Sequence, residues 1–194
     1  MLSKNFTDLI DAQTSEETVH RFLAEHPEIW QAALPRTDRL LSKINLHRFV
    51  PDFVAGTHNR TADRWSWLLI EIEKPGDRIL TDRGDPSTKL SHAIKQIADW
   101  RNWISENTAY ARTILPDIKP SASGLVVIGR RLEITEKHVQ SFRAIEDSLN
   151  SVAIHTYDWL ADVIEYGIER ESWYGPLYKG NDWQCGIGWD DVGR

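Results

Sequence analysis

Residues 65–75 read WSWLLIEIEKP, and the fold turns on them. A short apolar run without helical spacing, closed by Pro75 and Gly76, is the pattern of a β-strand covered on both faces, and so of a strand in the middle of a sheet. Two acids stand at its end. Side chains alternate along a strand, so Glu71 and Glu73 leave the same face, about 7 Å apart at ~3.3 Å per residue, while Lys74 points the other way. Carboxylates side by side repel unless a cation lies between them, and a divalent metal would resolve the conflict. The competing reading is a frayed strand end that faces solvent.

Working outward, Leu46 to Ala55 is expected to be a second strand, with Val50, Asp52 and Val54 on one face and Phe49 and Phe53 on the other. Paired with residues 65–75 as a hairpin, it brings Asp52 near Glu71. Further upstream, Thr14 followed by Glu17 matches a capping box that opens a helix with the stripe Val19, Phe22 and Leu23. Pro27 ends that helix, and PEIWQAAL makes a short one. Downstream, the stretch to Pro86 reads as a loop. A long helix follows from Ser87 to about Ala111, with Leu90, Ile94, Ile97 and Ile104 at helical spacing. GLVVIGRR (124–131) and SVAIHTYD (151–158) are strands; TEKHVQSFRAIEDSLN (135–150) and DWLADVIEYGIER (158–170) are helices. The order predicts an α/β fold, a mixed central β-sheet flanked by helices, as one domain over residues 1–170. Residues 171–194 form a tail rich in Trp and Gly, without periodicity, and receive no fold.

A chain of 194 residues suits one domain, and 41% hydrophobic with 27% charged residues is globular composition. Among nine Trp, Trp30, Trp65, Trp67, Trp100, Trp103 and Trp159 are expected in the core. A net charge of −6 means that affinity for nucleic acid must come from a local basic surface. The lone Cys185 excludes an internal disulfide and fits a reducing compartment. The opening MLSKNFTDLIDAQ has no apolar stretch of the signal-peptide kind, and no segment approaches the ~20 apolar residues of a membrane span, so a cytoplasmic location is expected. Walker and dinucleotide fingerprints are absent, as is an H-x-x-x-H zinc pair. His20 and His92, each four residues from a candidate (Glu16 and Gln96), are expected at the surface or in support. His47, Arg48, His58 and Arg60 bracket Asp52, and Arg130 and Arg131 follow a strand; each set could contact phosphate or simply be solvated.

A helix-borne Glu, then PD, then a strand ending in E-x-(K/E), then a helix with Q-x-x-x-(Y/W), here Gln96 and Trp100, is similar to the PD-(D/E)xK nuclease superfamily. More narrowly, EETVHRFLAEHPEIW, PDFV, LLIEIEKP, LSHAIKQIADWRNWI, GLVVIGRR and HTYDWL, in this order from Thr14 to Leu160, resemble the Shedu (SduA-like) nuclease domain of bacterial anti-phage defence. The resemblance implies a restriction-endonuclease-like sheet and an endonuclease that uses Mg²⁺ or Mn²⁺ on DNA, RNA being the alternative substrate. It implies Asp52 and Glu71 as metal ligands, Glu16 or its neighbour Glu17 completing the shell, and Gln96 positioning the site. Glu73 stands where lysine is usual, and is expected to hold a second metal or to accept a proton from the attacking water. Lys74 takes the lysine's part only if the strand bulges. Two rival readings are a degenerate module of the same fold that binds nucleic acid or protein without cleaving, and an interaction subunit acting through Trp173, Trp183 and Trp189. A homo-oligomer is expected, since one site cuts one strand, and a separate sensor partner is expected unless assembly does the sensing.

Overall fold

The computed structural model describes residues 1–12, 14–34 and 36–169. Its sheet has five strands, β1 (Arg39–Ser42), β2 (Phe53–Asn59), β3 (Arg64–Ile72), β4 (Ser123–Val127) and β5 (Val152–His155), in that spatial order. The first three form an antiparallel meander, and β4 and β5 continue parallel to β3. Parallel neighbours need crossovers, which the helices supply. Between β3 and β4 run α4 (Thr88–Glu106) and α5 (Thr108–Ile114); between β4 and β5 runs α6 (Glu136–Ser148). The opposite face is covered by α1 (Leu2–Asp11), α2 (Glu16–Glu25), α3 (Pro27–Ala33) and α7 (Tyr157–Asp162), the last continuing as a π-helical stretch, Val163–Glu169. Helices on both sides of a mixed sheet give the expected α/β class, and the arrangement is consistent with a restriction-endonuclease-like fold.

Alternation along β3 assigns its side chains to two cores. Ile70 and Ile72 join Phe6, Leu23, Trp30 and Tyr157 on the α1–α2–α3–α7 side. Trp67 and Leu69 join Leu90, Ile97, Trp100 and Ile104 on the α4 side. Each such fully buried aliphatic side chain contributes about 1.5–3 kcal/mol, which holds β3 in the centre of the sheet. Glu71 shares the parity of Leu69, so it opens towards α4. Arg101, half-buried on α4, ties that helix to the strand starts by donating to the carbonyls of Ala122 (2.8 Å), Asn150 (2.7 Å) and Ser151 (2.8 Å).

Several expected boundaries move. The cap of α2 is Ser15, whose Oγ accepts the Thr18 N–H at 3.2 Å; Thr14 instead donates its hydroxyl to the Leu9 carbonyl. The strand expected from Leu46 begins only at Phe53, because His47 takes a positive φ of 62° and the chain folds on itself through a Leu46–Phe49 bridge, leaving Val50 exposed. The single helix from Ser87 breaks at Asn107, which leaves helical geometry and caps Trp103 O with its side-chain amide. β1 and α1 have no counterpart in the expectations. Of the six core tryptophans, Trp65 is half-buried and the other five are buried. The tail 171–194, with Cys185, Trp173, Trp183 and Trp189, lies outside the described residues. Among the described residues no helix is long and apolar enough to cross a membrane.

Candidate functional site

The pairing register carries one step past the ends of β1 and β2. Ser42 lies opposite Phe53, and Phe53 opposite Ile70. Beyond them the Lys43 N–H donates to Asp52 O at 3.0 Å, and Asp52 Oδ2 accepts the Ile72 N–H at 2.8 Å. Lys43, Asp52 and Glu71 therefore form a row across three strands, where directly opposed side chains meet. β3 stays regular past its last strand residue: Glu73 N–H donates to Val127 O at 2.9 Å, and the Glu73 carbonyl accepts the hydroxyl of buried Tyr157 at 2.6 Å. No bulge reverses the alternation, and Lys74 is exposed, its backbone held in a turn to Asp77. The structure thus sets Lys74 apart from the acids, for the reason that regular strands alternate.

The three acids are deeply placed: Asp52 is 2% exposed, Glu71 7% and Glu73 3%. Burial, first, then the charge of Asp52, a hydrogen bond shared with it, and the charges of Glu16 and Glu73 push the Glu71 carboxyl up to about 9. Glu16, the first residue of α2, is half-buried, whereas Glu17 is exposed. Its carboxyl is also raised, by burial and then by Asp52 and Glu73, so all four acids feel one another. Cations interleave with them. Lys43 Nζ bonds Asp52 Oδ1. Burial works against its charge, yet the hydrogen bond and charge of Asp52, with the charges of Glu71 and Glu16, raise it above the ordinary lysine value. Lys89, in the first turn of α4, donates to Glu73 Oε2 at 3.1 Å, and His92 Nδ1 lies 3.7 Å from Glu73 Oε1. Lys89, His92 and Gln96 follow the three-and-four spacing of one helix face. Gln96 Oε1 is buried without a hydrogen-bond partner among the described residues. A buried acceptor left in that state costs about 1–3 kcal/mol, which marks a place where a donor or cation belongs.

The other candidates go elsewhere. Arg130 is bound by Asp11 and Asp158, and Arg131 by Asp162, so acids of α1 and α7 take up this arginine pair. His47 stacks on Trp103 and Arg48 lies over Phe49. His20 supports the site from below: Nε2 is 3.2 Å from Asp52 O and from Ser42 Oγ, and the ring stacks on Phe53. His58 and Arg60 lie at the far end of β2, in a pocket of about 570 Å³ lined also by Arg36, Asp38, Thr57, Asn59 and Ser66. Sequence reasoning missed Lys43, Lys89 and Tyr157 in the site. Only Lys89 carried a signal, as a cation one helical turn before His92 and two before Gln96.

Among the described residues no three His, Cys, Asp or Glu groups are gathered at metal-holding spacing. Charge and donor type nevertheless fit a divalent ion. With all four carboxyl groups ionised they would exceed the two ammonium groups by two charges, and Glu71, raised to about 9, gives up its proton only where a cation offsets it. Carboxylate and amide oxygens are the donors that Mg²⁺ and Mn²⁺ take. A family model described as Shedu protein SduA, C-terminal, matches residues 13–161, a span that includes every residue of this row and its supports. The chain belongs to this family. As a Shedu SduA C-terminal domain it has a defence-related role. No curated protein matches the chain.

Proposed function

We propose that this Shedu domain is a metal-dependent nuclease that hydrolyses phosphodiester bonds of DNA. The observation that carries the reading is the convergence of four carboxyl groups, Asp52, Glu71 and Glu73 buried and Glu16 half-buried, at the carboxyl end of a central strand, where ligand sites of open α/β sheets form. Asp52 and Glu71 would hold Mg²⁺ or Mn²⁺, with Glu16 completing the oxygen set. The bound ion would polarise the phosphate and lower the pKa of water. The protein's own groups do the rest. The Ile72 N–H and Lys43 fix the Asp52 carboxylate, so it enters the reaction already oriented. Glu71 keeps a proton until a cation arrives, because burial and its acidic neighbours oppose its charge. Gln96 offers its free Oε1 to a ligand or to the attacking water. Glu73 keeps one oxygen on Lys89 and turns the other towards His92, which suits it to hold a water in line and to take its proton.

Substrate contact follows from the same placement. The pocket at the far end of β2 presents Arg36, Arg60 and His58, about 20 Å from Asp52 at ~3.3 Å per residue, a distance that a bound strand spans within a few nucleotides. Cutting both strands of a duplex would use two copies of the domain, and a homo-oligomer in the cytoplasm, with sensing supplied by assembly or a partner, completes the proposal. Plasmid nicking in Mg²⁺ or Mn²⁺ tests it: wild type should cut and Glu71→Ala should not. Equal cutting by both preparations would mean contamination and would end the proposal. A second reading, a module that binds nucleic acid without cleaving, draws on one observation, the acid at the lysine position tied up by Lys89. Mn²⁺ titration separates the two, since the nuclease should bind the ion and lose it in Asp52→Asn.

A further inference from the structure

Phosphodiester hydrolysis builds negative charge on the phosphate oxygens, which an ammonium beside the carboxylates that would hold the metal could offset. Lys74 is exposed and set apart from the acids, and Lys89 bonds Glu73, outside the row of Asp52 and Glu71. Lys43 meets the requirement. It stands at the end of β1 opposite Asp52, its N–H on Asp52 O and its Nζ on Asp52 Oδ1, within reach of the charges of Glu71 and Glu16. Its backbone is in the left-handed region, φ 48°, which a residue with a Cβ seldom holds unless its surroundings impose it. Asp52 is buried, while the Lys43 side chain is 46% exposed, so solvent and solutes reach its ammonium. An ammonium has three donors; Asp52 takes one and leaves two for phosphate oxygens.

We infer that Lys43, one residue past the end of β1, supplies an ammonium that contacts the scissile phosphate. The inference rests on the nuclease reading above. Plasmid nicking, Mn²⁺ calorimetry and binding of a DNA duplex in Ca²⁺ are measured for wild type, Lys43→Met, Lys43→Gln and Lys89→Gln. Lys43→Met should nick about a hundredfold more slowly, the usual loss when one preorganised charge is removed, and bind Mn²⁺ at least as tightly, because a positive charge has gone. Lys43→Gln should behave alike while still donating to buried Asp52, so it decides the matter if the Met variant does not fold. Lys89→Gln, which releases the Glu73 carboxylate, should slow nicking without weakening duplex binding in Ca²⁺, the readout that sets it apart from Lys43. Lys43 variants that nick within about threefold of wild type, or that lose Mn²⁺ binding together with nicking, overturn the inference. Should the wild type bind Mn²⁺ but not nick, the nuclease reading falls and duplex affinity in Ca²⁺ judges Lys43 alone. A loss of about fivefold or more in Lys43→Gln keeps it as a phosphate contact, and unchanged affinity removes it.

Discussion

Glu71→Gln should make the metal-free protein more stable at alkaline pH, although it alters a buried group in a hydrogen-bonded row. The Glu71 carboxyl is raised from 4.5 to about 9 by burial, then by the charge of Asp52 and the hydrogen bond they share, then by Glu16 and Glu73. A carboxyl raised on folding keeps a proton that the unfolded chain releases, so stability is full below the unfolded value and falls as pH rises through the window from 4.5 to about 9. The slope is about 1.4 kcal/mol per pH unit, which reaches at most about 5 kcal/mol at pH 8. Relaxation of the fold and water entry around the ionised carboxylate lower this to about 2–3 kcal/mol. Glutamine keeps the hydrogen bond and cannot ionise. For a domain of this size each kcal/mol moves the melting temperature by about 2–4 °C, so Glu71→Gln should melt about 5–10 °C above wild type near pH 8 and within about 2 °C of it near pH 5. Thermal denaturation in EDTA at the two pH values measures this. Adding Mn²⁺ should then close the gap, by stabilising wild type alone. A gap of equal size at both pH values, or a lower melting temperature for the variant near pH 8, would refute the electrostatic account of Glu71.

Tyr157→Phe removes the 2.6 Å hydrogen bond to the Glu73 carbonyl and should cost about 1–2 kcal/mol in urea denaturation, an unchanged midpoint showing that this anchor of β3 is idle. Gly129→Ala should cost at least about 2 kcal/mol, because φ is +63° and a Cβ would stand 2.6 Å from the Asp77 carbonyl oxygen; a loss below about 0.5 kcal/mol would mean that the 74–79 turn yields freely. Replacing Arg36 and Arg60 together by Ala should weaken duplex binding in Ca²⁺ by about tenfold and flatten its salt dependence, with Mn²⁺ affinity untouched; equal affinity would take the pocket out of the substrate path.

How far the site was legible depended on how local its causes were. β3 could be read because WSWLLIEIEKP is a continuous apolar run ended by a proline, and Asp52 could be brought to Glu71 because an antiparallel hairpin leaves little freedom of register. Lys43 could not be read. RLLS is four residues of mixed exposure, and what makes it a strand is the free edge of β2, not its own propensity. α1 was overlooked although its signal was present: Phe6 and Ile10 lie four apart on its buried face, with Leu2 and Leu9 beside them at helical spacing. Arg130 and Arg131 stayed open between phosphate and solvent because their partners are distant in the chain, Asp11 lying 119 residues from Arg130. A pair of arginines after a strand looks available for phosphate until the fold brings acids against it.

The acid at position 73 has a consequence for the whole site. With lysine there, Glu16, Asp52 and Glu71 would face that ammonium and leave two negative charges. With glutamate, a fourth carboxylate is added, and Lys43 from β1 with Lys89 from α4 restores the same balance. On the proposed metal reading, once a bound cation draws off the Glu71 proton the same formal charge is reached with ammonium groups held by other elements. Glu73→Lys should on this account harm the site: three carboxylates would confront three ammonium groups, with no net charge left to hold an ion. A change of two charges at about 7 Å from a divalent cation is worth more than 1 kcal/mol even in a watery dielectric, so Mn²⁺ affinity should fall about tenfold or more. Calorimetry that finds Glu73→Lys binding Mn²⁺ as tightly as wild type would show that Lys43 and Lys89 are not part of the balance.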